Sequence, residues 1–257
     1  DDDGDGILPW VEDKLDELGG ETPVLFDEAD GIDFEAVADT QPDVILAAYS
    51  GLTQDDYDTL TKIAPVVAYP DIAWGTSWQE LTVMNGTALG LKDEAEALVD
   101  ELTAHLDELT GAYPDIAGKT TLFSSFDATD LSQIGFYSTA DPRPLFLEDL
   151  GLTPAATVAE QSKGTDQFWI TNSTEEIERF SDLQVLVTYG DDATLAAMQA
   201  DPLLSRIPAV ASGAVVVLPA SNDPLAAAAN PSPLSITDPL TSEYVDMIGA
   251  AAAKASS

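Results

Sequence analysis

The chain of 257 residues contains no cysteine, so disulfides and thiolate metal sites are both excluded. It has a single histidine, His105. A bare zinc or manganese site wants several imidazoles and carboxylates together and finds no donor set here. Ser-His-Asp catalysis would need that histidine in a cleft, and mid-helix is the wrong place for it. Basic residues are scarce: nine Lys plus Arg face 47 Asp plus Glu, for a net charge of −38. Phosphate backbones are bound by clustered cations, so nucleic acid is excluded as a partner. No glycine-rich loop follows a strand pattern, which leaves nucleotide phosphates without a cradle. Apolar runs reach strand length only, too short to span a membrane.

What the chain does have is a phrase used twice. Asp33-Phe34-Glu35-Ala36-Val37-Ala38, Gln41-Pro42-Asp43 and Val44–Tyr49 form one copy. Ser173-Thr174-Glu175-Glu176-Ile177, Asp182 and Val185–Tyr189 form the other. Each reads as a short acidic helix, an Asp-marked turn and a strand ending in Tyr. An apolar strand of this kind is hidden on both faces of a parallel sheet. The two copies predict an α/β fold of two similar Rossmann-like lobes, and paired lobes grip something between them.

Further segments extend the pattern. Thr22–Phe26 reads as a strand, Gln54–Ile63 as a helix, Pro65–Tyr69 as a strand and Trp78–Leu89 as a helix, in the βαβα order of a parallel sheet. Lys92–Ala112 is the longest helical pattern, with Ala95, Leu98, Leu102, His105 and Leu109 on one stripe. After Tyr113-Pro114 come a strand at Thr120–Phe126, a polar loop to Pro144, a helix closed by Gly151, and a last helix from about Asp238. The tail from Ala250 is poor in anchors and is expected to fray.

Several word-like segments, in order, resemble the siderophore- and cobalamin-type (class III) solute-binding proteins of ABC importers, particularly the actinobacterial iron-siderophore binders. They are Gln41-Pro42-Asp43-Val44-Ile45-Leu46, Leu60–Val67, Leu89-Gly90 with Asp93-Glu94-Ala95, Pro202–Ser205 with Ala209–Val215, and Pro231-Ser232-Pro233-Leu234-Ser235. The resemblance implies an N-terminal lobe at 1–91, one rigid connecting helix at 92–113 and a C-terminal lobe at 114–257. It also implies a first strand ahead of Asp1-Asp2-Asp3-Gly4-Asp5-Gly6, so that the first lobe is amino-terminally incomplete. Further implications are an extracytoplasmic, lipid-anchored precursor and a monomer that hands its ligand to a permease dimer. Glu35 and Glu175 match the two glutamates with which such proteins dock on permease arginines; Glu176 is the alternative, one residue on.

Ligands of α/β proteins sit at the carboxyl ends of the strands. Those positions here carry Tyr49, Tyr69, Trp74, Trp78, Tyr137, Arg143, Trp169 and Tyr189. Aromatic faces suit an apolar chelator backbone, while tyrosine hydroxyls and one arginine can bond iron-bound oxygens. The expected ligand is a ferric siderophore, with no further cofactor. The acidic field favours neutral or cationic hydroxamates over anionic chelates. Haem or a corrinoid is the alternative in the same fold, and a carboxylate-using hydrolase or a calcium module the alternative in another class. The last rests on Asp1, Asp3, Asp5, Gly6 and Glu12, which match a calcium-loop pattern, against a Pro9 inside it. Arg143→Ala is expected to weaken binding and leave folding intact.

Overall fold

The computed structural model describes residues 6–26, 28, 31–126, 129–219 and 223–255. The chain packs as two compact units, the first ending at Asp100 and the second beginning at Glu101.

In the first unit, helix α1 (Pro9–Leu18) ends on Gly19, whose φ of 62° is the left-handed stop that glycine adopts readily. Helix α2 (Phe34–Asp39) starts where the Asp33 carboxylate accepts from the Glu35 and Ala36 amides. Strand β1 (Ile45–Ala47) pairs in parallel with β2 (Val66–Ala68). Between them, α3 (Gln54–Leu60) opens on a reciprocal capping box of Thr53 and Asp56. Helices α4 (Trp78–Ala88) and α5 (Lys92–Gly111) follow, and the change of unit falls inside α5.

The second unit is built on a four-stranded parallel sheet. Strands β3 (Thr120–Ser125), β4 (Gln133–Tyr137) and β5 (Thr153–Pro154) are followed by β6 (Trp169–Ser173), β7 (Val185–Tyr189) and β8 (Val215–Leu218). The sheet order is β5-β3-β7-β8, and β4 and β6 form a separate antiparallel ribbon. Helices α6 (Pro142–Asp149), α7 (Ala156–Gln161), α8 (Thr194–Ala200), α9 (Pro208–Ser212), α10 (Pro224–Ala228), α11 (Pro233–Ile236) and α12 (Pro239–Ala252) surround it. Asp141, Asp223, Ser232 and Asp238 each cap a helix whose first residue is proline, where the missing amide costs nothing. The core gathers Leu122, Ile134, Phe136, Phe180, Leu186 and Met198, all at most 2 % exposed.

Several sequence expectations change. Thr22–Phe26 is not a strand: among the described residues nothing pairs with it, and Val24 is 68 % exposed. The first copy of the repeated phrase is not hidden on both faces. β1 has one sheet neighbour and Leu46 lies 42 % exposed, whereas β7, central in its sheet, is buried from Val185 to Thr188. The acidic helix of the second copy is a 3-10 turn, Thr174–Phe180. On α5 the buried positions are Ala95, Leu102 and Leu106, and Leu98 is exposed. The expected frayed tail is helical to Ala252, with Ala251 and Ala252 buried.

Candidate functional site

In the second unit the four residues singled out from sequence fall together. Tyr189 ends β7, Tyr137 ends β4, Trp169 begins β6, and Arg143 stands in the first turn of α6. Tyr137 and Arg143 therefore lie in regular elements rather than in the polar loop expected up to Pro144, and Trp169 opens a strand instead of following one. Sequence reading missed both ribbon strands, because Gly135 and the polar Thr171-Asn172-Ser173 dilute their apolar signal.

The ribbon register sets Tyr137 directly opposite Trp169. Their rings meet edge to face at 4.9 Å between centroids. Phe123 of β3 continues the row, 5.7 Å from Tyr137 and 5.2 Å from Tyr189, also edge to face. Such T-shaped pairs match the positive rim of one ring to the negative face of the next. Gly135 seats Trp169: a Cβ there would overlap the indole. Ser124 Oγ ties β3 to the ribbon by donating to the Gly135 carbonyl at 2.5 Å.

Arg143 lies over the Tyr137 ring, its guanidinium carbon 3.6 Å from the centroid. The Asp141 carboxylate holds it by two bonds, from Nε at 2.8 Å and from Nη2 at 2.7 Å. That carboxylate is 2 % exposed and also accepts from the Arg143 amide at 2.9 Å as the α6 cap. Burial works against the arginine's charge, but the bonds and attraction to Asp141 outweigh it and hold Arg143 above its ordinary range. Burial likewise raises the Tyr189 hydroxyl, an effect the neighbouring Arg143 partly offsets by its charge and a hydrogen bond. Both hydroxyl and guanidinium thus keep their protons at neutral pH and can donate. Asp141 and Phe123 are the members that sequence reading missed. The Asp-Pro-Arg-Pro run is a helix-start signal that would have pointed to the former.

In the first unit, Tyr49 and Trp74 meet edge to face at 5.2 Å. Trp74 is 45 % exposed and adopts φ 61°, a left-handed conformation unusual for a bulky side chain. Its amide donates to the Ser50 carbonyl at 3.0 Å, and Gly51 makes room for its indole, which a Cβ would strike. Tyr69 stands apart from this pair: its hydroxyl donates to the Leu52 carbonyl at 3.0 Å, and it lines a pocket of about 300 Å³ with Thr53, Gln54 and Tyr57. Trp78 opens α4 and is buried at 3 %, as is Trp10 in α1 at 6 %; neither is a loop residue.

Glu35 and Glu175 are both exposed, each in the first turn after a cap, with their amides given to Asp33 and to Ser173 Oγ. Glu176 differs, since it pairs with Arg179 at 3.1 Å. Asp1, Asp3 and Asp5 of the calcium-loop pattern lie outside the described residues, and Glu12 sits in the first turn of α1. Among the described residues no group of three or more His, Asp or Glu is placed to hold a metal ion. No helix among them is long and apolar enough to cross a membrane.

A parallel α/β unit with an aromatic and arginine cluster beside its strands is suited to holding a solute. Residues 6–222 match the family model described as periplasmic binding protein, and the chain belongs to that family. It is 42 % identical to the Streptococcus pneumoniae TIGR4 PiaA solved in complex with ferrichrome. That likeness covers 98 % of this chain and 84 % of that one, with a TM-score of 0.91. The iron uptake ABC transporter substrate-binding protein PiaA from the same organism, in another crystal structure, gives 42 % identity over 97 % of this chain and 85 % of that one, with a TM-score of 0.88. A periplasmic solute binding protein of Mycobacterium smegmatis shares the fold at 23 % identity and a TM-score of 0.72, over 96 % and 81 % of the two chains. No curated protein sequence matches significantly. The fold is thus that of class III periplasmic binding proteins, a family of extracytoplasmic binding components of ABC importers.

Proposed function

We propose that this chain captures a ferric siderophore, a hydroxamate in preference, and delivers it to an ABC permease dimer without making or breaking a bond. The observation that carries the reading is the 42 % identity, over nearly the whole chain, to a protein solved with ferrichrome. The cluster of Tyr137, Trp169, Tyr189 and Arg143 supports it chemically. Ring faces and edges suit the chelator's hydrocarbon, and the proton-bearing guanidinium and phenol can donate to the oxygens around iron. Tyr49 and Trp74 of the first unit are a second contact surface. Iron arrives inside its chelator, so the protein needs neither a metal site nor a cofactor of its own, and it works as a monomer.

Titration of tryptophan fluorescence tests this. Ferrichrome and ferrioxamine B are expected to quench saturably, whereas haem, cobalamin and a ferric tris-catecholate are not. Saturation by haem or cobalamin alone would replace the ligand and keep the fold.

Delivery is assigned to Glu35 and Glu175, whose exposed carboxylates suit charge-assisted bonds to permease arginines. The ion pair of Glu176 with Arg179 favours Glu175 over its neighbour. Changing both to alanine is expected to leave chelate affinity within about twofold, as surface changes do, and to stop uptake in cells. Normal uptake by the double variant would sink the assignment.

A further inference from the structure

Arg143 is the one cation of the aromatic cluster, and it is not a free cation. Its Nε and Nη2 are bonded to both oxygens of Asp141, and one face of the guanidinium lies on the Tyr137 ring. At most three of its five N–H donors remain for anything else. Asp141 is 2 % exposed while the Arg143 side chain retains 19 %, so the pair turns its donors outward and keeps its negative end inside. Charge and hydrogen bonding are thereby separated: a ligand meets fixed N–H donors, but the positive charge behind them is cancelled at bonding distance.

We propose that Asp141 is a specificity-determining residue, which lets Arg143 bond a chelate's oxygens while denying it the attraction for anionic chelates that a lone guanidinium would exert. This rests on the siderophore reading above. Three hydroxamates neutralise ferric iron and leave an uncharged complex, whereas three catecholates leave a trianion. A bare arginine would favour the trianion strongly in a partly dried site. Paired with Asp141 it has no such preference, and the acidic field of the whole chain then decides against the anion. Asp141 touches Arg143 and acts on the ligand through it, so its role is one of positioning and of charge.

Asp141→Asn is the discriminating variant. Asparagine still caps a helix, and its Oδ1 still accepts from the Arg143 amide and Nε, while the bond from Nη2 and the compensating charge are lost. Ferrichrome and a ferric tris-catecholate are titrated against the full chain by fluorescence. The ratio of their affinities is expected to move by about tenfold or more toward the catecholate, as one uncompensated charge near a trianion would give. An unchanged ratio in a variant that melts like the wild type would overturn the proposal. Asp141→Asn combined with Arg143→Gln removes both charges and serves even where the single variant folds poorly. Its ratio is expected to match the wild type within about twofold, and a clear shift against the catecholate would mean that Arg143 was acting as a cation after all. If the wild type binds neither chelate, the siderophore reading itself fails and takes this one with it. If it binds ferrichrome and only the ratio test fails, the reading stands without Asp141.

Discussion

Arg143→Ala should cost the protein both its ligand and a good part of its stability. Truncation removes the donors and the cation from the aromatic cluster, for which a loss of affinity on the order of thirtyfold is expected of a central arginine. It also leaves the Asp141 carboxylate 2 % exposed with no counter-charge. Breaking a buried ion pair from one side is expected to destabilise by about 3 kcal/mol, the lower end of the usual range because the arginine is partly solvated. The sequence alone led to a different expectation, of weakened binding with folding intact, since nothing in it showed the clamp. Urea denaturation decides the point. Adding Asp141→Asn to Arg143→Ala should recover most of the lost stability and none of the affinity. If Arg143→Ala unfolds at the wild-type urea concentration, Asp141 does not depend on the guanidinium and the clamp is not a stabilising element.

Salt should stabilise this protein to an unusual degree. Nine basic residues cannot pair with 47 acids one to one, so most carboxylates repel one another whatever their local geometry. Ion pairs such as Lys14 with Glu17 and Lys92 with Glu96 are exposed and worth little by themselves. Screening acts on the whole set at once. Between 0.01 and 1 M salt the Debye length falls from about 30 Å to about 3 Å. A relief of about 2 kcal/mol would raise Tm by roughly 4 to 8 °C in a chain of this size. Calorimetry at neutral pH across that range, with sodium chloride as the screening salt, reads the effect. A flat Tm would mean that the carboxylates are spaced too widely for their repulsion to matter. A rise in chloride and not merely in sulfate would identify screening as the cause rather than general strengthening of apolar burial.

Much of the architecture was legible because it is written in local chemistry. The helix starts at Phe34 and Pro239 could be read from Asp33 and Asp238, since a capping carboxylate beside the free amides is a local signal. β7 could be read because a strand in mid-sheet must be apolar on both faces. The same logic misled at Thr22–Phe26, where an apolar run has no neighbouring strand among the described residues, and at β1, where one neighbour leaves Leu46 in water. Whether a strand is buried depends on its partners, which its own residues do not name. The ribbon of β4 and β6 was overlooked for the converse reason. Gly135 weakens a strand pattern, yet it is the position that lets Trp169 lie against its partner.

The candidate site divides in the same way. Tyr137, Trp169, Tyr189 and Arg143 were legible as residue types at strand ends, and the structure brings them together. Phe123 looked like a plain core residue, and the helix-start signal at Asp141 marks a cap without showing its clamp on Arg143. Their roles come from contact alone. In the first unit, Tyr49 and Trp74 meet, while Tyr69 and Trp78 are committed to bonding and packing elsewhere.

Each unit carries one tyrosine set edge-on to one tryptophan, Tyr49 with Trp74 and Tyr137 with Trp169, at 5.2 and 4.9 Å. Rings fixed at such angles couple their electronic transitions, and asymmetry held in place is what near-ultraviolet circular dichroism records. The protein therefore contains two label-free optical reporters, one in each unit. Replacing Trp74 or Trp169 by phenylalanine silences one reporter at a time and so assigns each part of the ligand-free spectrum to its unit.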